Sequence, residues 1–186
     1  MDALRQVDEW PAQNVAVTVL GAEGEIARRG PAELVFRWAS VTKPVTALAA
    51  LVAAEEGTID LDVPAGPPGS TMRHLLAHAS GLPFEAGPPI GKPGARRIYS
   101  NAGFEVAAER IAANAEMPFE ESLRKAVLGP LGMKAVLRGS PGAGLHGSLD
   151  DLALLGRELL APTLIAPETL AEATTCLLYT SPSPRD

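Results

Sequence analysis

The sequence predicts a mixed α/β (α+β) layer fold. Three observations carry this. A β-rich run, Asn14 to Leu20, opens the patterned part of the chain. Helical apolar spacing dominates from Ser40 onward. The two kinds of segment do not alternate regularly, which argues against a doubly wound parallel sheet.

The elements follow in order. After the first run, "GAEG" (21–24) is a turn, and "EIARR" and "ELVFRWA" supply the next strands of an antiparallel start. A helix runs from near Ser40 to Glu56. Val45, Leu48, Ala49 and Val52 form its apolar stripe, and Gly57 caps its C-terminus. "VPAGPPGS" (63–70) is a loop, and "TMRHLLAHASG" (71–81) is a short helix stopped by Gly81. Residues 82–97 are a long Pro/Gly-rich excursion of the kind that often carries function. Three helices come next. The first covers 103–114, with Phe104, Ala108 and Ile111 in register. The second begins near Pro118 and carries Phe119 and Leu123. The third is opened by a capping-box pair, Ser148 and Asp151, ahead of Leu152, Leu155 and Leu159. A last helix starts at Pro167. Composition changes abruptly after Thr175, from Ala/Leu/Glu to the Ser/Pro-rich "CLLYTSPSPRD". This stretch resembles sequencing-adapter read-through, so residues 1–175 are read as folded and 176–186 as a non-native tail.

Bulk properties narrow the function. The chain of 186 residues is 46% hydrophobic and 20% charged, enough for a sizeable core. Its net charge of -6 offers no basic face for releasing counterions from phosphate, which excludes nucleic acid as the expected partner. No apolar run approaches the ~20 residues of a bilayer span. The N-terminus lacks the basic and apolar regions of a signal peptide, so a cytoplasmic location is expected. The one cysteine, Cys176, forms no internal disulfide and no Cys-based metal site.

The chemistry begins at "FRWASVTKP" (36–44), where Ser40 and Lys43 stand three apart at the mouth of an apolar helix. That spacing puts both side chains on one helix face. A serine hydroxyl needs a base within hydrogen-bond reach. Apolar burial and the positive end of the helix dipole both make a lysine a better base. S-x-x-K alone is a weak signal, and a capping serine beside a solvated lysine fits it equally. A second element adds to it. Tyr99-Ser100-Asn101 ends the long loop just before a helix, and Tyr99 is the one tyrosine outside the tail. A phenol acting as base requires nearby positive charge, which Lys43 can supply; Asn101 can hydrogen-bond both substrate and lysine. By itself the tyrosine reads equally as a half-buried ring.

S-x-x-K followed by Y-x-N resembles the penicillin-recognising serine hydrolases, on the side of class C beta-lactamases, DD-carboxypeptidases and the esterases that share their fold. "GTIDLDVP", "MRHLLAHASGLP", "LGPLGMK" and "GLHGSLDDLALLGRELL" resemble segments of the same family, in order, across residues 13–175. The resemblance implies a beta-lactamase/transpeptidase-like fold. It implies Ser40 as nucleophile, Lys43 and Tyr99 as proton carriers, Asn101 as a substrate-binding residue, and no cofactor or metal. The expected partner is a small-molecule ester, beta-lactam or D-amino peptide, with the ester favoured; a non-catalytic binding protein on the same fold is the alternative. The family also carries an H/K-x-G motif on a late strand, which supplies an oxyanion-hole donor. No such strand is expected in this chain, so it resembles an N-terminal fragment. Loss of the late strands is expected to expose a strand edge and the apolar faces of helices such as 43–56.

Three patterns compete. Gly142-x-Gly144-x-x-Gly147 spells a dinucleotide fingerprint, but no βαβ unit or downstream acidic residue accompanies it. His74 and His78 stand four apart as zinc ligands do, without the glutamate of H-E-x-x-H or a third ligand, and read as packing or capping histidines. His146-Gly147-Ser148 superficially resembles the third motif but is expected to lead into a helix rather than lie on a strand. No G-x-S-x-G elbow is present.

Overall fold

The computed structural model describes residues 2–178. A 3-10 helix, Asp2–Glu9, precedes the hairpin of β1 (Val17–Gly21) and β2 (Gly24–Arg29). These strands pair antiparallel from Val17↔Arg29 to Gly21↔Gly24, with a bulge after Val19, so "GAEG" is the turn its glycines indicate. Among the described residues each of these strands has a strand neighbour on one side only. A second sheet is built from residues far apart in sequence. β3 (Phe36–Arg37) and β4 (Val136–Leu137) flank a central antiparallel β5 (Leu145–Gly147). "ELVFRWA" thus supplies two strand residues only, and they pair with the late part of the chain rather than extending the hairpin.

The order β3-β5-β4 overturns one sequence expectation. His146 and Gly147 do lie on a strand, the central one, with Ser148 turning the chain into the next helix. Three residues are too few for a period-two pattern to show. Gly147 is required there by contact: a Cβ would sit 2.7 Å from the Trp38 ring and 2.9 Å from the Ala135 Cβ. The Trp38 indole N–H donates to the Gly147 carbonyl at 3.0 Å, which fixes the ring over the strand.

The helices are α1 (Thr42–Glu55), α2 (Met72–Leu76), α3 (Ala102–Ala115), α4 (Phe119–Leu123), α5 (Leu149–Leu160) and α6 (Pro167–Ala173). α1 ends in a Schellman arrangement around Gly57, at φ +74: Thr58 N–H reaches Ala53 O at 2.8 Å and Gly57 N–H reaches Ala54 O at 3.1 Å. α2 stops at Leu76, well before Gly81, because His78 already adopts a left-handed φ of +59. α5 carries the expected capping box, with Ser148 accepting from Asp151 N–H and the Asp151 carboxylate accepting from Ser148 N–H. α6 has Pro167 in its first turn.

The expectation that α1 exposes an apolar face is not met. Val45, Leu48, Leu51 and Val52 pack into one cluster with Trp38, Leu123, Val127 and Leu145, and Ala50 and Ala53 face a second with Met72, Leu75 and Ile111. α1 is therefore the shared wall of two cores. The exposed apolar side chains lie elsewhere, including Ile26 on β2, Val35 before β3 and Val136 on β4. Of the tail, residues 179–186 lie outside the described residues.

Candidate active site

The 3-10 turn that leads into α1 presents Ser40, and the first turn of α1 presents Lys43. Ser40 sits in a short 3-10 turn, Ala39–Val41, that runs directly into the helix. Ala39 is held at φ +46, a left-handed conformation that strains a residue with a Cβ. The Thr42 hydroxyl donates to Ala39 O at 2.6 Å and steadies that turn. The result is an exposed Ser40 one turn ahead of a buried Lys43, which retains 5% of its accessible surface.

The Lys43 ammonium donates to three oxygens. Asn101 Oδ1 accepts at 2.6 Å, Gly142 O at 2.8 Å and Ser40 Oγ at 3.4 Å. Its Nζ also lies 4.7 Å from the centre of the Tyr99 ring and 5.7 Å from that of Phe104. The structure therefore brings together Ser40, Lys43, Tyr99 and Asn101, from two segments nearly sixty residues apart. A hydrogen bond with Ser40, followed by hydrogen bonding and charge from Lys43, holds the Tyr99 phenol below its ordinary range against a partial desolvation cost; Arg97 contributes in the same direction.

Tyr99 is positioned from below and from the side. The His78 ring packs 4.4 Å from it, tilted by 34°, and the exposed Phe84 ring lies 6.1 Å away, near-parallel at 19°. The long loop is not free. Ile90 N–H bonds Gly81 O, Gly94 N–H bonds Ala79 O, and Asn101 N–H bonds Phe84 O, each between 2.8 and 2.9 Å. Ser100 Oγ donates to Pro83 O at 2.6 Å and accepts from Gly103 N–H at 2.9 Å, which anchors the start of α3.

The third side of the site is a strap, residues 138–145, that the sequence reading did not assign to it. Besides the Lys43–Gly142 bond, Thr46 Oγ1 donates to Pro141 O at 2.7 Å and Leu145 N–H donates to Thr42 Oγ1 at 3.0 Å. Ser140 Oγ donates to Glu105 on α3 at 2.9 Å. The glycines of the dinucleotide-like pattern have steric roles here. A Cβ on Gly142 would stand 3.2 Å from Asn101 Oδ1, and one on Gly144 would stand 2.7 Å from the Gly139 carbonyl carbon. Two signals pointed to the strap: this glycine cluster, and two threonines, Thr42 and Thr46, on a helix that is apolar apart from them, Lys43 and Glu55.

The histidines have separate roles. His74 Nδ1 accepts from Thr71 N–H at 3.2 Å and closes the capping box of α2, while His78 packs under Tyr99. Among the described residues no cluster of three or more metal-ligating side chains forms. His146 Nδ1 stands 3.0 Å from the carbonyl of Gly144, just before its own strand.

Residues 12–144 match the sequence profile of the Beta-lactamase family. The chain belongs to the beta-lactamase family. It is 30% identical over 142 residues to esterase EstB of Burkholderia gladioli, an alignment covering 69% of this chain and 32% of the esterase. A crystal structure of a beta-lactamase from Mycobacterium bovis matches with a TM-score of 0.91 at 45% identity, covering 93% of this chain and 65% of that one. The octameric penicillin-binding protein homologue from Pyrococcus abyssi shares the fold at 20% identity and a TM-score of 0.77, covering 91% of this chain and 57% of that one. The chain thus spans about a third of the esterase and less than two thirds of the two solved relatives. As a beta-lactamase-family fold it mixes helices with antiparallel sheet, as the strand and helix patterns indicated. No helix among the described residues is long and apolar enough to cross a membrane.

Proposed function

We propose that residues 1–175 are the N-terminal part of an acyl-transferring serine hydrolase, with an ester as the substrate class, and that residues 176–186 stand outside its domain. The observation that carries this reading is the position of the Lys43 amine, 3.4 Å from an exposed Ser40 Oγ, fixed by Asn101 and Gly142, with Tyr99 over it. In this reading Tyr99, whose phenolate form Ser40 and Lys43 favour, takes the Ser40 proton as that phenolate while Oγ bonds the ester carbonyl carbon. The tetrahedral adduct collapses, the carbon–oxygen bond to the alcohol breaks, and Tyr99 returns the proton to the leaving oxygen. Water then attacks the acyl-serine with Tyr99 again as base, releasing the acid and restoring Ser40. Asn101 keeps Lys43 aimed at both oxygens. The esterase relative favours an ester over a beta-lactam or D-amino peptide.

None of the strands among the described residues carries H/K-x-G. One oxyanion-hole donor is therefore missing from this reading, and the loss of one such donor lowers turnover by about 10²–10³. We infer that the 186-residue chain keeps a slowly reactive Ser40 but shows no measurable turnover. A fluorophosphonate should form a slow, stoichiometric adduct on Ser40, located by mass spectrometry and absent in Ser40→Ala. A chromogenic short-chain ester and a chromogenic cephalosporin should both show no Ser40-dependent hydrolysis. Absence of the adduct in folded protein would sink the hydrolase reading and favour a binding protein on this fold. Robust turnover abolished by Ser40→Ala would sink the incomplete-site reading.

A further inference from the structure

His78 touches three successive residues around the phenol: Ile98, Tyr99 and Ser100. Its backbone carbonyl accepts from Ile98 N–H at 2.8 Å. Its ring lies 4.4 Å from that of Tyr99. Its Nδ1 accepts from Ser100 N–H at 3.1 Å. It also leans on Phe104 of α3, centre to centre at 5.3 Å. The side chain is 7% exposed and grows from a left-handed backbone at φ +59, a conformation that histidine tolerates better than most residues do. The charged groups acting on it, Lys43 from α1 and Arg97 from the loop, are both cations.

An Nδ1 that accepts a backbone N–H bears no proton, so the ring is the neutral tautomer protonated at Nε2. Protonating Nδ1 would break the Ser100 bond and place a further cation beside Lys43. We propose that His78 is the positioning residue of Tyr99, a neutral imidazole that sets the ring plane and register of Tyr99-Ser100-Asn101 against Lys43. The role rests on the reading of Tyr99 as the base, but its geometry does not depend on turnover. Burial, then the charges of Arg97 and Lys43, push the imidazole down to about 4, which keeps it neutral at physiological pH.

Two measurements test it on the 186-residue chain. In protein carrying isotope-labelled histidine, long-range proton–nitrogen NMR reports the tautomer; the His78 ring is assigned by its loss in His78→Phe or His78→Asn. The expected result is an Nε2–H tautomer that resists protonation well below the ordinary histidine range. An Nδ1–H tautomer, or an ordinary titration, overturns the proposal. The second measurement is tyrosinate absorbance against pH, with the Tyr99→Phe trace subtracted to remove Tyr179. His78→Phe keeps a ring but loses the acceptor, and the Tyr99 midpoint should move up. His78→Asn keeps an acceptor near the Nδ1 position, and its midpoint should move up less. Unchanged midpoints in both variants, each folded by circular dichroism, overturn the proposal. Should His78→Phe fail to fold, the wild-type tautomer and His78→Asn decide the matter. An unlabelled Ser40 with the expected tautomer and midpoint shifts would count against the hydrolase reading while supporting the positioning role.

Discussion

The site side of α1 and the β1–β2 hairpin are attached to the rest of the molecule in opposite ways. Thr42, Lys43 and Thr46 bind the 138–145 strap through hydrogen bonds to or from backbone groups, and all three side chains are buried. The hairpin packs Leu20 of β1 closely on Gly156 of α5, and its polar ties to the rest of the molecule are ion pairs between exposed or half-exposed side chains: Arg28 with Asp150, and Arg29 with Asp8. Buried polar groups are costly to leave unpaired, whereas exposed pairs exchange readily with water. The difference teaches where precision resides. The catalytic-type side chains are fixed by polar interactions that must be satisfied together, while the polar ties of the hairpin are individually dispensable.

The largest expected break is Lys43→Met. It fills similar volume but leaves Asn101 Oδ1 and Gly142 O without their donor, which costs about 1–3 kcal/mol for each buried acceptor. It also removes charge from beside Tyr99 and Ser40. The rate of Ser40 labelling should fall by about 10²–10⁴, the usual range for lost general-base catalysis, because Tyr99 loses the charge that lowers it. Labelling at the wild-type rate would show that the cluster is structural only.

The next effect is on pH dependence. His78 is held down at about 4 in the folded chain, against an ordinary value of 6.5. As pH falls, the unfolded chain takes up this proton first. The contribution of His78 is therefore complete above about 6.5 and is lost progressively as pH falls toward about 4, by at most about 3 kcal/mol. Urea unfolding of wild type and His78→Asn between these values should show a steeper loss in wild type. Parallel curves would mean that His78 titrates normally in the folded state.

The legible parts of the site are those written locally. Ser40 and Lys43 lie within one helical turn, so spacing alone places them together. Tyr99 and Asn101 are brought back by the loop, and only the motif resemblance connected them to α1. Gly142 contributes a backbone carbonyl, which leaves no side-chain signature, and its glycines spelled a different motif. In the fold, helix starts such as Ser148 and Pro167 were readable because caps are local chemistry. The burial of α1 on two sides was not, because Ala50 and Ala53 carry little weight in an apolar stripe yet face a core of their own. β5 was missed because a three-residue strand is defined by its neighbours, not by its own pattern.

The smallest effect sharpens the opening contrast most directly. Arg28 donates four hydrogen bonds, three to Glu25 and one to Asp150, between 2.6 and 3.0 Å. Thr46 donates one, to Pro141 O at 2.7 Å, from a side chain with no exposed surface. Counting bonds ranks Arg28 first. Environment ranks Thr46 first. The Arg28 side chain is 37% exposed, so its partners regain water when it is removed, and exposed pairs of this kind contribute about 0.2–1 kcal/mol. Thr46→Val keeps the shape of the helix face but leaves a strap carbonyl without its donor, at about 1–3 kcal/mol. Urea unfolding of Arg28→Ala and Thr46→Val, each against wild type, should give the larger loss for Thr46→Val. Ser40 labelling should slow in Thr46→Val, because Pro141 adjoins Gly142 and a looser strap loosens Lys43; in Arg28→Ala it should stay at the wild-type rate. Equal losses from the two variants would mean that the strap carbonyl finds water as easily as the hairpin does, and that the site is no more tightly held than the sheet.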